Sequence, residues 1–182
     1  MARPRAADLL LSAIQAQDSA AVQAWMTADP WVRQHAGPSG ESLVLYACYM
    51  AAFALAPLLR GDRPYDACEA AALGDLNALN DALDRDADLI SWRSGDGWTP
   101  LHLAAFFGRD HCAAYLIDNS APLDALSTNA TRNTPLHAAL AGVTNQTLVR
   151  RLILAGADVS ARGDGGVQPI HLAASRGDQA LC

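Results

Sequence analysis

The sequence predicts an all-α fold, an α-solenoid of helix-turn-helix pairs joined by short β-hairpin-like fingers. Three observations carry it. The first is a returning phrase: Thr99-Pro100-Leu101-His102-Leu103-Ala104-Ala105, then Thr134-Pro135-Leu136-His137-Ala138-Ala139-Leu140, then Gln168-Pro169-Ile170-His171-Leu172-Ala173-Ala174. Its histidines lie 35 and then 34 residues apart, and a fixed period of about 20–50 residues marks stacked repeats. The second is composition: 51% of the 182 residues are apolar but only 6% are aromatic. Small alanine-rich helices can pack closely without a single bulky core. The third is punctuation. Helix caps and turn formers recur between apolar runs of helical period, as at Gly74-Asp75 and Gly108-Arg109-Asp110.

The phrase has a mechanical reading. Proline fixes φ and lacks an N–H, so it suits the first helical turn. The threonine before it caps that turn. Leucine and the small alanines form a narrow apolar face. Histidine can hydrogen-bond through both ring nitrogens and so tie its repeat to adjacent backbone.

Taken in order, residues 1–40 read as a degenerate first repeat. Asp8 to Ile14 give its inner helix, Gln17-Asp18 its turn with Asp18 as N-cap, and Val22, Trp25 and Met26 its second helix. Residues 41–63 form a degenerate repeat in which Ser42 to Cys48 replace the phrase. Leu11 and Leu45 stand in the histidine column, 34 residues apart. Pro57 calls for a kink or a helix start near Leu55. The finger at 60–64 is short, and a break in the stack is expected there. Residues 64–98 form the next repeat, with Cys68 in the histidine column, Gly74 as C-cap and Asp75 as N-cap. Its long finger turns inward Ile90, turns outward Trp92, and ends in the tight turn Asp96-Gly97. Residues 99–133 and 134–167 are the best-formed repeats. Residues 168–182 open a sixth, whose second helix has barely begun at Gly177-Asp178 when Cys182 is reached. An apolar face around Leu148, Leu152 and Ile153 is then expected to lack cover. The whole, 1–182, reads as one repeat domain.

The spacing and the Thr-Pro-Leu-His phrase resemble the ankyrin-repeat family, in its bacterial-type form. The resemblance implies a non-catalytic scaffold that binds an unidentified partner protein through a concave face. Finger tips and the solvent side of the inner helices line that face. Mapped onto this sequence, the candidates include Trp92, Ser94, Asp96, Trp98, Phe106, Phe107, Arg109, Arg132, Asn133 and Arg176, with packing between repeats as the competing role for Trp98 and Phe107. Trp and Arg are the side chains most enriched at binding hot spots. The alternative is a regulatory or targeting segment of a longer bacterial enzyme or effector, cut at residue 182. Self-association through the incomplete last repeat is a separate expectation.

Other chemistry is poorly supported by the residues. The histidine column invites a metal, but zinc needs its ligands about 2.0–2.1 Å from one ion, whereas adjacent repeats sit about 10 Å apart. His35 and His111 are isolated. Cys48, Cys68, Cys112 and Cys182 have neither metal-like nor disulfide-scaffold spacing. No nucleophile–base pair, paired carboxylates, phosphate loop or cofactor motif is placed by the pattern. The net charge is −6 and every basic residue is arginine. An acidic chain without a basic block argues against general nucleic-acid binding. Alanine-rich, lysine-free usage points to a GC-rich bacterial genome. No apolar run reaches about 18 residues, so no membrane span is expected. Asp8, Ser12 and Gln15 interrupt the only signal-like stretch, so a cytoplasmic protein is expected. The sequons at Asn129 and Asn145 are discounted on the same ground.

Overall fold

The computed structural model describes residues 6–177 apart from Thr144, and of Pro30 only the backbone. The chain divides into two compact units, residues 1–64 and 65–182. The division falls after the short segment that follows Arg60.

The first unit contains α1 (Ala6–Gln15), α2 (Ser19–Ala28), α3 (Leu43–Tyr49) and α4 (Ala56–Arg60). Asp18 caps α2 by accepting the Ala21 N–H at 2.9 Å, and Ser42 caps α3 by accepting that of Leu45. Leu10 and Ile14 are fully buried, whereas Leu11 is half-buried. The position expected to continue the histidine column therefore falls one residue later than the buried one. Pro57 lies in the first turn of α4, where its missing N–H costs nothing, so the helix starts there instead of kinking. After α2 the chain opens into a turn of 3-10 helix, Pro30–Gln34, capped by the Asp29 carboxylate.

The second unit stacks helix pairs. They are α5 (Ala67–Leu73) with α6 (Leu76–Arg85), α7 (Pro100–Phe106) with α8 (Asp110–Asp118), and α9 (Pro135–Ala141) with α10 (Gln146–Leu154); α11 (Pro169–Ser175) follows. The inner helices α5, α7, α9 and α11 pack in sequence, and the outer helices α6, α8 and α10 pack on one another and on their own inner helices. Their alanines allow this: Ala70, Ala71, Ala104, Ala105, Ala138 and Ala139 are all buried. The expected second helix of the last repeat begins at Asp178 and lies outside the described residues.

The fingers have no assigned strand among the described residues, only an isolated bridge between Ala36 and Ser42. Four of them are turns closed by one backbone hydrogen bond onto the residue just before the next inner helix's cap. Gly37 donates to the Glu41 carbonyl at 2.8 Å, Ser94 to Trp98 at 2.8 Å, Ser127 to Asn133 at 2.7 Å and Gly163 to Val167 at 2.8 Å. Neighbouring fingers in the second unit are stitched as well: Thr128 N–H to Gly97 carbonyl at 3.0 Å, and Asp164 N–H to Thr131 carbonyl at 2.8 Å.

Candidate functional site

The carbonyls that close the fingers also receive the column of side chains beneath them. His102 Nδ1 accepts the Thr99 N–H at 3.3 Å and lies 2.7 Å from Thr99 Oγ1. That fixes the tautomer: Nε2 carries the proton and donates to the Asn133 carbonyl at 2.8 Å. His137 repeats the arrangement with Thr134 and donates to the Val167 carbonyl at 3.0 Å. Cys68 occupies the same place one repeat earlier, and its thiol donates to the Trp98 carbonyl at 3.8 Å. Trp98, Asn133 and Val167 each precede an inner-helix cap, so a cysteine and two histidines make one structural bond in register. In the third copy, the Gln168 N–H donates to His171 Nδ1 at 3.0 Å, and the ring is exposed.

Burial sets the protonation of this column. His102 is fully buried, and desolvation holds its pKa down at about 4, outweighing the raising effect of the Asn133 carbonyl. Desolvation lowers the pKa of His137 too. Both rings are neutral at pH 7 and serve as neutral donors. Burial pushes the Cys68 thiol well above its ordinary value, with Asp66 adding to the shift, and Cys112 up to about 11. A thiol protonated at neutral pH is not a nucleophile, so neither cysteine is poised for chemistry. No group of three or more His, Cys, Asp or Glu able to hold a metal occurs among the described residues.

The ten candidate contact residues separate into two kinds. Trp92 is 61% exposed. It follows a 3-10 turn, Ala87–Ile90, that Asp86 caps, and its N–H is held by the Leu89 carbonyl. Arg132 is exposed at φ +48°, and Arg176 is exposed at the end of α11. Phe106 and Asn133 are half-buried.

The others are drawn into the scaffold. Trp98 and Phe107 are each only 8% exposed. Trp98 lies 5.6 Å from His102 with the two rings tilted at 54°, and meets Phe106 edge-on at 5.3 Å, and Phe106 meets Phe107 edge-on at 5.1 Å. Asp96 is buried in the finger turn, where Ser94 Oγ donates to its carboxylate. Ser94 Oγ also takes the Trp98 N–H at 3.1 Å. Of the other expected orientations, Ile90 is half-buried. Leu148 and Leu152 are fully buried, while Ile153 is 41% exposed.

Two arginines do work that the sequence did not display. Arg109 Nε donates to the Ala72 carbonyl at 2.9 Å, and Arg176 Nη2 donates to the Ala141 carbonyl at 2.7 Å. Between them the Val143 N–H caps the Phe106 carbonyl at 2.8 Å. In all three cases a group of one repeat satisfies a carbonyl in the last turn of the preceding inner helix. A cation there also suits the negative end of the helix dipole. The only sequence signal was the recurrence of Arg at the turn after an inner helix.

No helix among the described residues is long and apolar enough to cross a membrane. Residues 67–163 match the family model for ankyrin repeats, in three copies. Among curated proteins, the chain is 35% identical over 108 residues to a putative ankyrin repeat-containing protein of Treponema pallidum, covering 59% of this chain and 35% of that protein. It is 32% identical over 113 residues to the mouse B-cell lymphoma 3 protein homolog, covering 61% and 24%. It is 34% identical over 106 residues to the yeast target of rapamycin complex 2 subunit AVO2, covering 58% and 25%. The matched region thus spans about a third of the first relative's length and a quarter of the other two. The model match extends over more than half of the sequence and coincides with the stacked pairs α5–α10, and the chain belongs to the ankyrin-repeat family, whose repeats are protein-interaction modules and generally non-catalytic.

Proposed function

We propose that this protein is a non-catalytic scaffold that binds a partner protein through the finger tips and the adjoining ends of the inner helices of its second unit. The observation that carries this reading is Trp92, a large aromatic left 61% exposed on a finger whose backbone is held by its own turns. A rigidly presented Trp loses little freedom on binding and buries a large area. Arg132 and the half-buried Phe106 are the companions proposed for it, and Arg176 joins them if its cap to Ala141 can be shared. Trp98, Phe107, Asp96 and Ser94 support the surface from beneath. A bacterial setting is part of the proposal and rests on the lysine-free, alanine-rich composition.

The test is affinity capture from lysate of the source cell, comparing wild type with a Trp92→Ala, Phe106→Ala double variant. The expected result is a partner recovered by wild type and depleted at least tenfold by the variant. Equal recovery of the same partner by both would refute the choice of face. A second reading, in which these repeats regulate or target a longer protein, draws on the greater length of the matched relatives. A full-length product larger than 19.2 kDa in the source cell would favour it.

A further inference from the structure

Charge is segregated across the second unit. The outer helices with their flanking turns, residues 74–90, 110–126 and 143–159, carry nine aspartates against three arginines. The finger segments 91–98, 127–134 and 160–168 carry one arginine each, Arg93, Arg132 and Arg162, against Asp96 and Asp164. Asp96 is buried in its turn and held by Ser94. Asp164 is then the one exposed carboxylate of these three segments. The nearest acidic groups before them, Asp66 and Glu69, are engaged in the cap of α5: Asp66 accepts the Glu69 N–H at 2.8 Å, and Glu69 accepts that of Asp66 at 3.3 Å.

The fingers hold their arginines in a row. Arg93 Nη1 donates to the Gly97 carbonyl at 3.3 Å, and the same carbonyl takes the Thr128 N–H of the next finger at 3.0 Å. Asn129 Nδ2 adds a bond to the Asp96 carbonyl at 3.1 Å. The carbonyl of Thr131, beside Arg132, takes the Asp164 N–H at 2.8 Å, two residues from Arg162. One arginine thus stands on each of three stitched fingers, Arg132 and Arg162 exposed and Arg93 half-buried. Arg93 gives one of its five N–H groups to Gly97 and keeps others for a ligand. Packed neighbouring repeats lie about 10 Å apart. A polyproline II chain rises about 3.1 Å per residue with three residues per turn, so every third side chain falls on one side, about 9 Å from the last. The two periods agree.

We propose that the finger ridge receives an extended acidic segment of a partner protein, in which carboxylates at every third residue meet Arg93, Arg132 and Arg162 in turn. The inference rests on the reading that the fingers are the recognition surface, and it adds the chemistry of what they recognise. The planar fork of arginine matches a carboxylate with two parallel hydrogen bonds. A nucleic acid suits the ridge less well. A net charge of −6, concentrated on the outer layer, repels a long polyanion, whereas three carboxylates reach only the ridge.

The probe is a fluorescein-labelled peptide, Glu-Pro-Pro-Glu-Pro-Pro-Glu, titrated with the full chain at low salt and read by fluorescence anisotropy. Saturable binding is expected, weakened by added salt. Arg132→Ala and Arg162→Ala should each weaken it about threefold, the scale of an exposed ion pair. The double variant Arg132→Glu, Arg162→Glu should weaken it at least tenfold. Arg150→Glu, exposed on α10 away from the fingers, should leave it unchanged. The glutamine version of the peptide should not bind, and the isomer Glu-Glu-Glu-Pro-Pro-Pro-Pro should bind more weakly. Thermal melts of the variants identify any misfolding. Absence of saturable binding, equal binding of the isomer, or binding indifferent to the double variant in a chain that melts normally overturns the proposal. So does tighter, ridge-dependent binding of a labelled single-stranded oligonucleotide. A dimer in sedimentation that the double variant dissociates also overturns it, because the occupant is then a second copy of the chain. The peptide has no group for Trp92, so the two readings fail separately. Loss of peptide binding alongside capture that depends on Trp92 sinks only the acidic segment. Arginine-dependent peptide binding alongside capture indifferent to Trp92 and Phe106 sinks only the aromatic anchor.

Discussion

At the scale of single residues, the column Cys68, His102 and His137 holds one repeat to the next by one bond each. Its register could be read in advance for the histidines, because a ring with two nitrogens can accept from its own cap and donate across the repeat. That a thiol at position 68 makes the same bond was not legible, since nothing local to Cys68 announces a carbonyl 30 residues on. The buried ring gives a signed pH dependence. The folded pKa of His102, about 4, lies below the usual histidine value of about 6.5. The unfolded chain then binds more protons between those values, so stability is complete above about pH 6.5 and falls as pH drops towards 4. The difference corresponds to a loss on the order of 3 kcal/mol. Urea midpoints at pH 7, 5.5 and 4.5 should decline, and His102→Gln should make that decline shallower, leaving the share that comes from His137 and the carboxylates. An identical pH profile in the variant would mean that His102 is not the titrating group.

Gly142 makes a second prediction at this scale. A Cβ there would run into the Phe106 backbone carbonyl, the group that Val143 caps. Gly142→Ala should therefore cost about 1–3 kcal/mol by overpacking, read as a lower denaturation midpoint. An unchanged midpoint would show that the two inner-helix ends do not approach so closely.

At the scale of elements, much was legible because it is local chemistry. Thr99, Thr134, Asp18 and Asp75 cap the helices they were expected to cap, Pro57 starts one, and Asp96-Gly97 makes its turn with Gly97 at φ +86°. The 3-10 turns at 30–34 and 87–90 were not legible, because four or five residues carry too little periodicity to separate them from loop. Trp98 was read as either contact or packing. Only the fold decides, by setting His102 and Phe106 against it. Arg109 and Arg176 had looked like surface anchors because arginine gives no sign of which carbonyl it will reach 35 or 37 residues away. The inner helices owe their stability to burial, with Leu101 and Leu136 0% and 1% exposed. Leu101→Ala or Leu136→Ala should each cost about 2–5 kcal/mol. Guanidinium denaturation midpoints unmoved by both would remove the two leucines from the interface.

At the scale of the molecule, the residues proposed for recognition are distinct from those that hold the scaffold together. Stacked repeats contact mainly their neighbours, so the stability of the second unit is approximately a sum over interfaces. Those interfaces are the buried leucines and alanines of the inner helices, the histidine column, the arginine and backbone caps, and the finger stitches. Trp92 belongs to none of them. Changing it should alter binding without altering folding, whereas changing Leu136 should do the reverse at temperatures where the variant stays folded. No local pattern in the sequence could have identified the partner, because its identity depends on the shape that several fingers form together.

The most direct measurement is the dissociation constant, by calorimetry, of the captured partner for wild type and for Trp92→Ala. The expected result is a weakening of at least tenfold, about 1.4 kcal/mol or more, with the midpoint of unfolding unchanged. An unchanged dissociation constant would contradict the assignment of recognition to the fingers.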